Sequence, residues 1–145
     1  MSRIILLSVL ALAASAQRVV DVTPCDDSGN GTLIKFVITP CSTDPCELRK
    51  GTFVHFAFTY VADKFSETVN LSGTATGPFG IRLPIPGIDG DMCKVVACPV
   101  SEGATYTGAL SLRIARIPIS KTTVEMKVFG DAGLSACFVF PVTLV

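Results

Sequence analysis

Apolar and polar residues alternate with a period of two along most of the chain. From Thr52 to Ala62, Val54, Phe56, Phe58 and Tyr60 fall on one side and Phe53, His55, Ala57 and Thr59 on the other. Such alternation marks a half-buried strand. Leu33 to Thr39 repeats it, with Ile34, Phe36 and Ile38 opposite Leu33, Lys35 and Val37. In Phe65 to Thr76, Val69, Leu71 and Ala75 face away from Thr68, Asn70, Ser72 and Thr74. Thr105 to Ile114 aligns Tyr106, Leu110, Leu112 and Ile114; Lys121 to Phe129 turns Val124, Met126 and Val128 inward, with Glu125 and Lys127 outward. Leu134 to Val145 stacks Phe138, Phe140, Val142 and Leu144 behind a hairpin signal at Gly130–Gly133. Val19 to Thr23 is a short β-prone opening, Asp26 to Gly31 a turn, and Pro40 to Gly51 a loop. No window shows a helical period. About seven or eight turn-separated strands predict an all-β, immunoglobulin-like antiparallel β-sandwich of two sheets, without the Trp of antibody domains.

Ile81 to Pro99 interrupts this pattern. Pro84 and Pro86 fix their own φ, bias Leu83 and Ile85 towards extended geometry and remove two backbone donors. The stretch cannot be a central strand. It reads as an edge strand or the lip of an opening, with Leu83, Ile85 and Ile88 facing what fills it.

Composition adds the compartment. Arg3, the apolar run Ile4–Ala13 and Ala14-Ser15-Ala16 form a secretory leader over residues 1–16, leaving one domain over residues 17–145. Loss of Arg3 leaves 11 basic against 12 acidic residues. That balance gives no electrostatic footprint for nucleic acid. The six cysteines, Cys25, Cys41, Cys46, Cys93, Cys98 and Cys137, behind a leader indicate disulfides rather than a metal site. Spacing alone leaves all fifteen pairings open, although Cys41/Cys46 and Cys93/Cys98 look like short local loops. A lone His55 with no C-x2-C partner leaves zinc without its ligand spacing.

The framework Cys25 … Cys41-x4-Cys46 … Cys93-x4-Cys98-Pro99 … Cys137 carries a resemblance. With it go Pro40-Cys41, Pro45-Cys46, Lys50-Gly51, Leu83-Pro84-Ile85-Pro86 and Gly130-Asp131-x-Gly133. Together they resemble the ML lipid-recognition family, which embraces the Niemann–Pick type C2 sterol-transfer and mite group 2 allergen proteins. The resemblance implies two sheets splayed around an apolar cavity, and the pairings Cys25–Cys137, Cys41–Cys46 and Cys93–Cys98. Leu83 stands where the sterol-transfer protein has an aromatic, and Ile117-Pro118 where it has Tyr-Pro. The rim is therefore aliphatic, so a sterol, a fatty acid or another small hydrophobic ligand are comparable expectations.

Alternation alone would make the inward residues an ordinary filled core. The resemblance implies instead that Phe36, Val54, Phe56, Phe58, Tyr60, Leu71, Tyr106, Leu110, Val124, Met126, Phe138 and Phe140 line a lipid cavity. A bound ligand would restore the contacts a void forfeits. Leu83, Ile85, Ile88 and Ile117, with Ile119, would form its mouth, and Lys50, Arg82 and Lys94 are the nearby cations. Asn30-Gly31-Thr32 and Asn70-Leu71-Ser72 are glycosylation acceptors. His55 reads as a solvated surface residue, and Asp89 and Asp91 as turn formers. No nucleophile has a base beside it, no cofactor motif is present, and the chain is not expected to be an enzyme.

The expected function is a secreted lipid- or sterol-binding and transfer protein. It would be monomeric and extracellular or in the endosome–lysosome lumen, with transient membrane or lipid-receptor contact. The alternative is a solid-cored extracellular immune-recognition or protein-interaction module.

Overall fold

The computed structural model describes residues 16–145. Apart from Ala16, the expected leader lies outside the described residues. The strands are β1 (Arg18–Val19), β2 (Thr23–Pro24), β3 (Thr32–Thr39), β4 (Cys46–Leu48), β5 (Phe53–Val61), β6 (Asn70–Thr76), β7 (Arg82–Pro84), β8 (Thr105–Arg113), β9 (Lys121–Gly130) and β10 (Gly133–Leu144). One sheet runs β1-β3-β5-β8 and the other β2-β10-β9-β6-β7, with β4 added in parallel to the end of β10. All other pairings between strands are antiparallel.

The period-two faces meet between the sheets. Val54, Phe56, Phe58 and Tyr60 of β5 are all buried, as are Val124, Met126 and Val128 of β9 and Phe138 and Phe140 of β10. The Phe36 ring lies 5.3 Å from Phe138 and 4.9 Å from Phe140, joining the layers by tilted aromatic contact. At the Gly130–Gly133 hairpin β9 runs straight into β10, whose first residue pairs with the last of β9.

Several local expectations change. The opening segment is two short strands rather than one. β1 joins β3 and β2 joins β10, so the chain crosses between sheets at Val20–Val22, with Val20 and Val22 packed on the core. A register shift between Leu33 and Lys35 turns Leu33 towards the core and leaves Ile34 57% exposed, correcting its inward placement. A bulge breaks strict alternation in this way. Strand structure begins at Asn70 rather than Phe65, and Phe65 is exposed. The loop read between Pro40 and Gly51 contains β4.

The disulfides are Cys25–Cys137, Cys41–Cys46 and Cys93–Cys98. The first closes a separation of 112 residues. On the chain-entropy model a loop of that length stabilises by about 4–5 kcal/mol. β7, with its proline, lies on the outer edge of its sheet, as the loss of a backbone donor requires. No helix among the described residues is long and apolar enough to cross a membrane.

Candidate functional site: a hollow at one end of the sandwich

Between the sheets, at the end where β5 and β9 begin and β8 and β10 finish, lies a cavity of about 390 Å3. Its floor is Phe56, Met126 and Phe140, and Val124, Val142, Leu144 and Leu48 continue one wall. Leu112, Ile114, Ala115, Ile117 and Ile119 form the other, and Leu83, Pro84, Ile85 and Pro86 border it as a lip. Arg113 is the one charged residue in the lining, and its side chain lies on the exposed outer face of the sheet with His55 and Ser111. Thr122 also contributes, but its hydroxyl is engaged, donating to the Thr76 carbonyl at 2.8 Å. Such a site can hold apolar matter by burial and offers few directed polar contacts.

The lip is fixed by backbone and by a missing side chain. The Ile85 N–H donates to the Gly73 carbonyl at 3.0 Å. A Cβ on Gly73 would stand 2.6 Å from Ile88 Cδ1 and 3.2 Å from Ile85 Cδ1, so glycine lets the lip lie close on β6. Beyond it, the Asp89 carboxylate accepts from the Asp91 N–H at 3.1 Å and from Lys94 Nζ at 2.7 Å. Asp91 accepts from the Cys93 N–H at 3.1 Å. Both acids hold the turn. Lys94, then the Asp91 backbone, keep the Asp89 carboxyl below its ordinary range.

The predicted cavity residues divide into two groups. Phe56, Leu83, Ile85, Ile117, Val124, Met126 and Phe140 meet at the hollow. Phe36, Phe58, Leu71, Leu110 and Phe138 surround a void of only about 20 Å3, room for about one water and no lipid. Val54 is fully packed, and Ile88 rests against the core. Tyr60 and Tyr106 stand 6.0 Å apart at the far end. The Tyr106 hydroxyl accepts from the Ser101 N–H, while burial, then Tyr106 and Asp63, push the Tyr60 phenol up. Sequence reasoning missed Leu48, Ala75, Gly77, Arg113, Ala115 and Thr122 as lining residues, and read Leu112, Ile114, Val142 and Leu144 as inward-facing without placing them at a cavity. The apolar–polar–apolar triplet Cys46-Glu47-Leu48 was the available signal for the first.

Charge is uneven around the molecule. Arg49, Lys50, Arg113, Arg116 and Lys121 gather at the mouth end, and among the described residues none has a carboxylate within ion-pair distance. Arg82 instead pairs with Glu125 at 2.8 Å, and Lys94 with Asp89. His55 Nδ1 lies 2.6 Å from Ser111 Oγ on the exposed outer face of the first sheet, away from the hollow. Among the described residues, the one grouping of metal-ligand types is Cys25, Cys137 and Glu125, and its two cysteines are bonded to each other.

Residues 19–144 match the family model of the ML domain. The chain belongs to the ML domain family. This ML domain is 32% identical over 139 residues to a mite group 2 allergen of Tyrophagus putrescentiae, covering 94% of each chain. It is 30% identical over 135 residues to the NPC intracellular cholesterol transporter 2 of Mus musculus, covering 89% of each. The crystal structure of a Niemann-Pick type C2 protein from Japanese carpenter ant superposes with a TM-score of 0.74 at 13% identity, over 86% of this chain and 99% of that one. That likeness shows the fold, a sandwich of two β-sheets.

Proposed function

We propose that this ML domain is a non-enzymatic carrier that holds a small apolar lipid in the hollow between its sheets. The observation that carries the reading is the 390 Å3 cavity itself. An empty apolar space of that size forfeits packing, whereas a guest that fills it restores those contacts. Burial contributes about 25 cal/mol per Å2 of apolar surface, so such a guest needs no charged partner. The cholesterol transporter among the relatives supports a lipid guest. The aliphatic lip, Leu83 with Ile85 and Ile117, favours no flat aromatic stacking and leaves sterol and acyl guests as the classes to compare. With Arg113 alone charged and Thr122 hydrogen-bonded, the lining has no base–nucleophile pair.

The mouth also suits a passing encounter with a lipid surface. Phe79 and Ile81 are exposed beside Leu83, and five cations without carboxylate partners among the described residues lie at the same end of the molecule. In this reading the chain is exported after loss of its leader and acts outside the cell or in a lumen. Asn30 and Asn70, both exposed at the end opposite the mouth, carry glycans there.

The test is organic extraction of natively purified protein followed by mass spectrometry, with displacement of fluorescent sterol and fatty-acid probes. A stoichiometric lipid and saturable displacement are expected. An empty protein that binds neither probe would leave the solid-module alternative.

A further inference from the structure

Three of the four sheet edges are short or carry a proline: β1 has two residues, β2 contains Pro24, and β7 contains Pro84. β8 is different. It has nine residues and lies at the outer edge of its sheet. Its register with β5 pairs Tyr106 with Tyr60, Gly108 with Phe58, Leu110 with Phe56 and Leu112 with Val54. The flanking bonds, Ala62 N–H to the Ala104 carbonyl and Ile114 N–H to the Thr52 carbonyl, show that the even-numbered residues exchange bonds with β5. In an antiparallel ladder the alternate residues point their backbone groups the other way. Thr105, Thr107, Ala109, Ser111 and Arg113 therefore present N–H and C=O outward, and no hydrogen bond among the described residues uses them. Their side chains are exposed, and none before Arg113 is charged, bulky or proline. Sheets commonly protect such an edge with a charge, a bulge or a proline, and this one has none of these before Arg113 at its end.

We propose that β8 is a self-association edge, pairing antiparallel with β8 of a second copy about a twofold axis at Ala109. In that register Thr105 faces Arg113 of the partner subunit, Thr107 faces Ser111 of the partner subunit, and Ala109 faces Ala109 of the partner subunit. Every facing pair is odd-numbered, so each outward N–H meets an outward C=O, and the exposed side chains at the centre are small. Ladder length selects this register. Centring on Ala109 pairs all five outward residues of each copy within β8, whereas moving the axis to Thr107 or Ser111 keeps only three of them paired. Moving it to Ser111 also draws the Arg113 groups of the two copies towards each other. The contact runs along the β8 edge, and of its five outward residues Arg113 alone borders the hollow. It does not depend on what the hollow holds.

Sedimentation equilibrium combined with amide hydrogen exchange tests this. The folded protein is expected to show reversible, concentration-dependent doubling of mass, with new protection at the Thr105, Thr107, Ala109, Ser111 and Arg113 amides. Ala109→Lys sets two like charges directly opposite each other and should weaken association by about fivefold or more. Thr107→Pro, which removes an N–H that β5 does not use, should abolish it. Ala57→Lys, on the same outer face but one strand in, should change nothing. A monomer at every concentration, or association with these amides unprotected and Ala109→Lys as strong as wild type, overturns the proposal.

Discussion

The two ends of the sandwich interior have the same alternating sequence pattern and opposite physical outcomes. Towards the Gly130–Gly133 hairpin, Phe36, Phe58, Tyr60, Tyr106 and Phe138 come from both sheets and fill the gap, leaving a void of about 20 Å3. Towards the other end the inward residues become Leu112, Ile114, Val124, Val142 and Leu144, too short to meet across the same separation, and about 390 Å3 is left. Phe56, Met126 and Phe140 mark the boundary. Alternation determines which side of a strand faces inward; side-chain length against sheet separation determines whether the inside is solid. The aromatic end supplies rigidity, so the aliphatic end can remain open.

Truncation at the solid end should produce the largest change. Phe36→Ala removes a ring within 6 Å of Phe56, Phe138 and Phe140 and should cost about 3–5 kcal/mol, read as a lowered denaturant midpoint. The same measurement on Val124→Trp, which grows into the hollow, should show a change under about 1.5 kcal/mol, because the added volume has somewhere to go. Lipid-probe binding by Val124→Trp should instead fall at least tenfold. If Val124→Trp destabilises as much as Phe36→Ala and binding survives, the distinction between the two ends fails.

At the lip, Leu83→Ala removes about 2–3 methylene equivalents from the border of the hollow. It should weaken probe affinity by about five- to tenfold with stability unchanged, since Leu83 is half exposed and contributes little to the core. Titration calorimetry with the best displacing lipid reads this directly.

The smallest effect belongs to the hairpin end. The Thr68 hydroxyl, then the Glu67 N–H, donate to the Asp131 carboxylate and hold it below its ordinary range. A carboxyl lowered on folding stabilises the protein above its unfolded value, and that contribution fades as pH falls through the folded value. Wild type should therefore lose stability in the acid limb, below the ordinary carboxylate range, and Asp131→Asn should flatten that limb slightly. Because Asp131 lies far from the mouth, lipid affinity should not change in the variant at any pH where both fold.

The sandwich was legible because β5, β8 and β9, and β10 from Phe138 onward, each carry a two-residue period, and the proline pair at Pro84 and Pro86 marked an edge. Ile34 was misplaced because a bulge at Leu33–Lys35 leaves no trace in a hydrophobic pattern. β4 was hidden by its length and by parallel pairing with a strand almost a hundred residues away. The split of the inward residues into packed and hollow groups was not legible at all. Phe58 and Phe56 are equivalent in sequence, and which of them borders space depends on what the opposite sheet supplies at that height.

The N-terminal crossover has a mechanical consequence. Its first strand is stitched to one layer, its second to the other, and Cys25 is bolted to Cys137 immediately after. The molecule is thus a book with a bound spine: its covers cannot gape along that margin. Any widening that admits a bulky guest must come at the fore-edge, where residues 85–104 and 114–120 join the covers.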